Sequence, residues 1–130
     1  MEFKYKKDIS LEDRRDQCNR LLIKNPTKIP IIVEKDPKCK LEESKKTRFL
    51  IYKDFTVNQF EKLIRNSLQV PGEEALFFTA KGKYTISGEK TMGQIYKEYK
   101  DKQDGFLYIA YSSELVYGWP KISLLSIIFK

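Results

Sequence analysis

The chain has 130 residues, 41% hydrophobic and 33% charged, with a formal net charge of +7. This length predicts one domain with its own hydrophobic core, and the composition is typical of a globular protein. No apolar run reaches the ~20 residues that cross a bilayer, and the N-terminus lacks a signal-peptide core, so we expect a cytoplasmic protein. The absence of histidine excludes Ser-His-Asp and Cys-His catalysis and imidazole metal ligands, while a carboxylate or lysine enzyme stays open.

Most of the positive charge lies in the first half of the chain. Residues 1–65 carry 17 Lys and Arg against 11 Asp and Glu, whereas residues 66–130 carry 8 against 7. A basic half suits an acidic peptide, a phospholipid surface or nucleic acid, although a solvated mixed-charge surface explains most individual residues as well. Cys18 and Cys39 lack metal-ligand spacing, so we expect one half-buried thiol and one loop thiol rather than a bridge, and no metal or cofactor.

The predicted elements begin with a short helix or an extended arm at residues 4–7. Ser10, with Asp13 three residues later, predicts the N-cap of a helix that runs to about Lys24. Its apolar stripe is thin and its remaining surface is charged. Such a helix covers a core on one side and keeps a wet outer face.

Two antiparallel strands are predicted next, at Lys28–Lys35 and Thr47–Lys53, and the second is a candidate edge strand. Alternation gives these strands two faces. One face carries Ile29, Ile31, Val33, Phe49 and Ile51. The other carries Pro30, Ile32, Arg48, Leu50 and Tyr52. Because proline has no N–H, Pro30 must occupy a ladder position that needs no donor.

The second half of the chain contains two capped helices and further strands. Thr56 with Gln59 and Thr91 with Gln94 predict the two caps, and the first of these helices ends before Pro71. Short strands are predicted at residues 75–79 and after the turn at 81–83. The last strand, Phe106–Ser112, is apolar on both faces, which is typical of a central strand.

This order of elements predicts an α+β fold, the β-grasp of ubiquitin-like proteins. The last strand is expected beside the first and parallel to it, as a right-handed crossover allows. The N-terminal helix or helices would cover the sheet face that the long helix leaves open.

Seven segments of the chain, taken together, carry a resemblance to a known family. They are Phe3–Lys6, Glu12–Arg15, Ile29–Lys35, Thr56–Phe60, Glu74–Phe78, Thr91–Tyr96 and Asp104–Gly118. In register, they resemble the ubiquitin-like autophagy modifiers, above all the GABARAP type. The likeness covers residues 1–118, with one or two short insertions.

The resemblance implies a modifier that other enzymes process, and not an enzyme. A cysteine protease would cleave between Gly118 and Trp119, and E1- and E2-like enzymes would then pass Gly118 to phosphatidylethanolamine on the autophagosomal membrane. The modifier would recruit cargo receptors and adaptors that carry an aromatic-x-x-aliphatic motif with acidic neighbours. The implied organisation is a modifier domain at 1–118, with a helical part at about 1–26, a β-grasp core at 27–112, an arm at 113–118 and a propeptide at 119–130.

The same resemblance, together with strand alternation, predicts two peptide pockets beside the second strand. The pocket for the aromatic anchor would contain Gln17, Leu21, Pro30, Ile32, Arg48, Leu50 and Phe106. The pocket for the aliphatic anchor would contain Phe49, Ile51, Tyr52, Phe55, Phe60 and Leu63. The basic rim would contain Lys28, Lys46, Arg48 and Arg65. Plain core packing explains Ile32, Phe60 and Leu63 in part.

Several positions depart from the family pattern. Gln17 replaces a usual acidic residue, Tyr52 a usual proline and Ser67 a usual arginine, which bears on partner choice. The tail Trp119–Lys130 is unusually apolar. It is a propeptide, a retained segment that packs on a groove or touches membrane, or a gene-model read-through with no function.

Two other functions stay open on the sequence alone. A binding module of the same fold would keep its tail and only dock peptides, or a membrane or cytoskeletal surface. A basic RNA-binding protein is allowed by the charge, but no aromatic-basic RNA-binding strand is present and acidic residues are interspersed throughout, so no nucleic acid partner is expected.

Overall fold

The computed structural model describes residues 1–72 and 74–113. These residues form a mixed α+β fold in which helices pack on a sheet, as predicted. The helices are α1 Lys4–Asp8, α2 Leu11–Lys24, α3 Val57–Leu68 and α4 Met92–Tyr99. The strands are β1 Lys28–Lys35, β2 Arg48–Tyr52, β3 Phe77–Ala80, β4 Tyr84–Ile86 and β5 Leu107–Ser112. Gly118 and the tail 119–130 lie outside the described residues.

The sheet has the strand order β2-β1-β5-β3-β4. The last strand therefore lies in the middle, next to the first and parallel to it, with Ile31 level with Leu107 and Lys35 with Tyr111. The β1–β2 pair and both pairs of β3 are antiparallel. This is the β-grasp arrangement expected from the order of elements, and it leaves β2 at one edge.

Each sheet face carries its own layer of apolar side chains. One face, with Ile31, Phe49 and Ile109, packs with residues of α3 and α4, including the fully buried Phe60. The opposite face packs with residues of α2 and the N-terminal segment, including Cys18 and Phe3. Its strand residues are Ile32, Tyr108 and Ala110, and Phe106, just before β5, joins them. Since both faces are covered, β5 is buried along its whole length.

Short polar side chains begin three of the helices at the predicted residues. The Ser10 hydroxyl accepts from the Asp13 N–H at 3.2 Å. Thr56 and Gln59 form a reciprocal capping box, with bonds of 2.9 and 3.1 Å, and the predicted box at the start of α4 is also present. Each box satisfies donors at the N-terminus that have no partner inside the helix.

The first segment is a helix, and β1 supplies its cap. The Glu34 carboxylate accepts from the Lys4 N–H at 2.7 Å and from the Tyr5 N–H at 2.8 Å. A carboxylate at a helix N-terminus satisfies free donors and faces the positive end of the helix dipole. At the other end, Lys6 forms an ion pair with Asp101 at 2.6 Å. The five-residue helix is thus tied to the sheet and to the loop after α4.

A buried ion pair fastens α2 to the segment that leads into β5. Arg14 Nε donates to Asp104 Oδ2 at 2.8 Å, and the two side chains are 8% and 0% exposed. The Tyr108 hydroxyl donates to the same oxygen at 2.5 Å, and the Phe106 N–H donates to Asp104 Oδ1 at 2.9 Å. Arg14 also donates to the carbonyl of Ile9. Burial and the Asp104 carboxylate together raise the pKa of the Tyr108 hydroxyl, which stays a donor at neutral pH.

A glycine permits the close approach of α2 to this same segment. Gly105 has φ +89°, and a Cβ atom built there would lie 2.8 Å from the Cys18 sulfur. Cys18 is completely buried rather than half-buried as expected, and its burial raises the pKa of the thiol to about 12. Cys39, the loop thiol, is also buried, and both cysteines are free.

The β1–β2 connection is attached to β5 through one side chain. The Tyr111 hydroxyl donates to the Glu42 carbonyl and accepts from the Ser44 N–H, both at 2.9 Å. Within the part of the chain that the structure describes, none of the helices combines the length and apolar character needed to span a membrane.

Candidate peptide-docking edge

The outer side of β2 presents backbone groups that β1 does not use. The Val33 N–H donates to the Thr47 carbonyl at 2.8 Å, and the Lys53 N–H to the Thr27 carbonyl at 3.0 Å. Hydrogen-bonded pairs alternate along an antiparallel ladder, so the N–H and C=O groups of Arg48 and Leu50 point away from β1. This edge can accept another strand.

The same alternation explains the proline in β1. Pro30 lies opposite Leu50, in a pair that exchanges no hydrogen bonds across β1 and β2. On its other side, pairing with β5 starts one residue later, at Ile31 and Leu107. The prediction that Pro30 occupies a position without a required donor is confirmed.

The residues predicted for the aromatic-anchor pocket lie on the α2 face of the sheet. Ile32 and Phe106 are 0% exposed and form part of one apolar cluster with Leu21. Pro30 is also buried, whereas Leu50 and Leu21 are half-buried. The buried members can form only a floor, and the half-buried leucines are the ones a ligand can touch.

Tyr5 contacts two residues of the predicted aromatic-anchor pocket, although the sequence did not place it there. Its ring packs edge-on against Phe106, with centroids 5.5 Å apart, and its hydroxyl donates to Gln17 Oε1. Burial raises the pKa of the Tyr5 hydroxyl, with Arg48 opposing it. The signal in the sequence was only an aromatic residue among lysines, and contact with Phe106 depends on Glu34 fixing α1 against the sheet.

Gln17 and Arg48, two further predicted residues, are joined at the rim of this pocket. Arg48 Nη1 donates to Gln17 Oε1 at 3.3 Å. Because Gln17 is neutral, this contact does not neutralise the guanidinium. Within residues 1–72 and 74–113, no carboxylate forms an ion pair with Arg48, so its charge is available to an acidic ligand.

The residues predicted for the aliphatic-anchor pocket lie on the opposite face, with α3. Phe60, Ile51 and Phe49 are 0%, 3% and 6% exposed and belong to the main core. Phe55 and Leu63 are partly buried and pack against that core. Those two residues give this pocket its accessible surface, as the leucines do on the other face.

Tyr52 lies at the boundary between the two faces. Strand alternation directs it to the side of Arg48 and Leu50, and it is 50% exposed. Its ring nevertheless lies 5.9 Å from that of Phe55, beside the predicted second pocket. An exposed aromatic ring at this position adds contact area next to that pocket.

Three of the four predicted rim cations lie along β2 or beside it. The Lys28 ammonium lies 4.7 Å from the centre of the Tyr52 ring and the Lys46 ammonium 4.8 Å from that of Phe49. Cation–π contacts of this kind hold positive charge close to an apolar surface. With Arg48, they place three positive charges along the open edge.

Arg65, the fourth predicted cation, is engaged elsewhere. It forms an ion pair with Glu61 at 3.1 Å and donates to the carbonyls of Pro71 and Glu74 at 2.9 and 2.7 Å. These contacts fasten the end of α3 to the segment that follows it. A side chain committed in this way offers few donors to a ligand.

The β-grasp sheet defines a ubiquitin-like protein, and here N-terminal helices are added on its second face. The family model "Autophagy protein Atg8 ubiquitin like" matches residues 13–118. The crystal structure of Trypanosoma brucei ATG8 is 34% identical, with a TM-score of 0.83, and the match covers 91% of this chain and 100% of that chain. The chain belongs to the Atg8 family of ubiquitin-like autophagy proteins.

Proposed function

We propose that this Atg8-family protein is conjugated through Gly118 to phosphatidylethanolamine and acts in autophagosome formation by recruiting cargo receptors. The single observation that carries the recruiting role is the open β2 edge, with half-buried apolar side chains on both faces and with cations beside it that no carboxylate of the described residues neutralises. The conjugating role rests on family membership and on Gly118, which is the last residue of the family match.

Peptide docking follows from the geometry of the edge. A partner segment adds as a strand and bonds to the outward N–H and C=O groups of Arg48 and Leu50. Its aromatic anchor enters the pocket around Leu21 and Leu50, and its aliphatic anchor the pocket around Phe55 and Leu63. Acidic residues beside the anchors approach Lys28, Lys46 and Arg48, which raises the association rate more than the affinity.

Conjugation uses the residues that follow the sheet. A cysteine protease hydrolyses the bond between Gly118 and Trp119. The E1-like enzyme then activates the new carboxylate with ATP as an acyl adenylate, with loss of pyrophosphate, and an E1 cysteine thiol displaces AMP to form a thioester that passes to the E2-like enzyme. The lipid amine displaces the thiol and forms an amide. Glycine suits this chemistry because the carboxyl terminus must enter narrow clefts, where a side chain would collide. The chain itself is the substrate in each step and not the catalyst.

This function assigns a role to each part of the chain. Residues 1–118 form the mature modifier: the helical part at about 1–26, the core at 27–112 and the arm at 113–118. Residues 119–130 are removed as a propeptide. The protein is cytoplasmic before conjugation and lies on autophagosomal or other vesicle membranes afterwards.

Intact-mass analysis of the protein from its own cells tests the conjugation. We expect a chain that ends at Gly118 and a second species that is heavier by one phosphatidylethanolamine, less the water lost on amide formation. A Gly118→Ala variant should yield neither lipid adduct nor membrane association. Lipidation of that variant would refute the proposed attachment site.

An unprocessed adaptor of the same fold is the second candidate. It is favoured by one observation: the docking edge is complete within residues 1–113 and needs no free Gly118. The adaptor would bind the same peptides while residues 119–130 stay attached. The same mass spectrum separates the two functions, since an adaptor is recovered with its full mass.

A further inference from the structure

The two pockets make a geometric demand on any strand that adds to β2. Side chains of an added strand point alternately to the two faces of the sheet. The first pocket lies on the face of Ile32 and the second on the face of Phe49. Two anchors that fill both pockets must therefore be an odd number of residues apart, and three residues span about 10 Å of strand.

The chain's own tail contains such a pair of anchors. Trp119 and Ile122 are three residues apart, the first aromatic and the second aliphatic. Trp119 is the single tryptophan of the chain. Pro120, between them, lacks an N–H and so suits the outermost strand of a sheet, where one donor row faces solvent.

The end of β5 lies within reach of the docking edge. Arg48 pairs with Ile32, and Ile32 pairs with Tyr108, so these three residues are level across the sheet. Ser112 follows Tyr108 by four residues and therefore lies four residues beyond the level of Arg48. With 3.3 Å per residue and about 4.8 Å between strands, a strand added outside β2 is about 19 Å from Ser112 at the level of Arg48 and about 24 Å at the level of Leu50. The seven residues from Ser112 to Trp119 span up to about 23–25 Å.

The direction of the chain also fits. Because β5 is parallel to β1 and β2 antiparallel to it, β5 ends beside the end of β2 at which Arg48 lies. A segment that arrives there meets Arg48 first and proceeds toward Tyr52. It passes the Leu50 pocket and then the Phe55 pocket, so the aromatic anchor precedes the aliphatic one, as in Trp119 and Ile122.

A cleft on the α1 face provides a path between the two points. It has a volume of about 520 Å³. Its lining includes Met1, Tyr5, Glu34, Ser44 and Thr47. It thus extends from the end of β1, beside which β5 ends, to the residue that precedes β2.

We propose that the tail segment Trp119–Ile122 occupies the β2 edge of the same molecule until the tail is removed. This rests on the proposed function, because it assigns an occupant to the same groove. Cleavage after Gly118 then has two results: it frees the carboxyl group of Gly118 and it clears the docking edge for other ligands. The precursor is a poor peptide binder, and the processed chain a competent one.

The expected strength follows from the tether. The charged residues of the segment 119–130 are two lysines, so the basic rim of the edge does not attract it and its affinity as a free peptide is low. A short tether supplies an effective concentration of about 1 mM. If the free tail peptide binds with a Kd of about 100 µM, the tethered tail weakens competing peptides by roughly 10-fold. Once cut, the tail is diluted and leaves.

Fluorescence of Trp119 in the full-length protein is the direct test. Docking should shift its emission to the blue and protect it from acrylamide. Ile122→Ala, which removes the second anchor, should abolish the protection, and Leu125→Ala serves as the control that keeps both anchors. Equal quenching of the full-length protein and of a synthetic 119–130 peptide overturns the proposal. Loss of the protection when the protein is diluted by about 100-fold also overturns the proposal. Binding of a molecule's own tail does not depend on protein concentration, so such a loss shows that the tail of a second copy occupies the edge.

Peptide binding separates this proposal from the function on which it rests. A fluorescein-labelled Glu-Glu-Trp-Ala-Ala-Leu peptide should bind full-length Ile122→Ala roughly 10-fold more tightly than the full-length wild type. Equal binding to both proteins overturns the occupancy of the edge by the tail and leaves the docking function intact. Binding to neither protein overturns the docking function, and the tail proposal with it.

Discussion

Replacing Asp104 with alanine removes the acceptor on which α2, β5 and Tyr108 converge. The change leaves the Arg14 guanidinium, 8% exposed, without its carboxylate, and it also leaves the Tyr108 hydroxyl and the Phe106 N–H without their bonds to Asp104. Breaking a buried ion pair by removal of one partner costs about 3–5 kcal/mol. In a domain of this size, each kcal/mol of lost unfolding free energy lowers the melting temperature by about 4 °C, so the melting temperature should fall by about 12–20 °C.

Urea denaturation followed by circular dichroism measures this loss, with the m-value as a check that both proteins unfold between comparable states. Asp104→Asn is the matched control: it removes the charge and replaces one acceptor oxygen with an NH2 donor, while the remaining oxygen still accepts. The double variant Arg14→Met, Asp104→Asn removes the stranded cation as well, so it should be more stable than the sum of the single changes predicts. A loss below about 1 kcal/mol for Asp104→Ala, or strict additivity in the double variant, would refute this account of the pair.

Three further predictions concern the docking edge, α2 and the loop after α4. In the Gln17→Glu variant, the new carboxylate should pair with Arg48 and weaken the binding of acidic-flanked peptides about 3- to 10-fold, measured by titration at low salt. The difference in affinity between variant and wild type should decrease as the salt concentration rises. Gly105→Ala should destabilise by about 2 kcal/mol or more, since its φ is +89° and its new Cβ meets the Cys18 sulfur; unchanged urea unfolding would contradict this. Burial opposes ionisation of Asp101, but the ion pair with α1 and two backbone N–H donors prevail and lower its pKa. The ionised Asp101 carboxylate therefore stabilises the fold fully above its unfolded-state pKa of about 4, and this stabilisation is lost as pH falls through its lower folded-state pKa. The difference in unfolding free energy between wild type and Asp101→Asn should consequently become smaller at acid pH.

Local signals in the sequence predicted most of the helices and strands and their arrangement. The cap pairs at Ser10, Thr56 and Thr91 set the starts of three helices within a few residues, because the side-chain bond forms inside one turn. Alternation assigned the faces of β1 and β2 correctly, because one residue of slip would move every apolar side chain to the wrong face. The central position of β5 followed from its two apolar faces.

The remaining features depend on contacts between residues far apart in the chain. Tyr5 reaches Phe106 because distant contacts hold α1 against the sheet; one of them is the Glu34 cap, across 29 positions. The charge of Arg65 suggested a place on the basic rim. In the structure, Arg65 instead pairs with Glu61 and donates to the carbonyls of Pro71 and Glu74 at the end of α3. Exposure within the pockets also depends on packing: Ile32 and Phe60 belong to the floor, and Leu50 and Leu63 to the surface.

The central position of the last strand has a consequence for biosynthesis. A ribosome-bound chain that lacks β5 holds two separate hairpin-like units, β1–β2 and β3–β4, each with an inner strand that has no partner on one side. Sheet closure requires residues 107–112, whose partners in β1 begin about 75 positions earlier in the chain. Folding of this domain is therefore expected after the C-terminal strand has emerged, and the unpaired inner strands of β1 and β3 are the surfaces that a chaperone would need to shield until then.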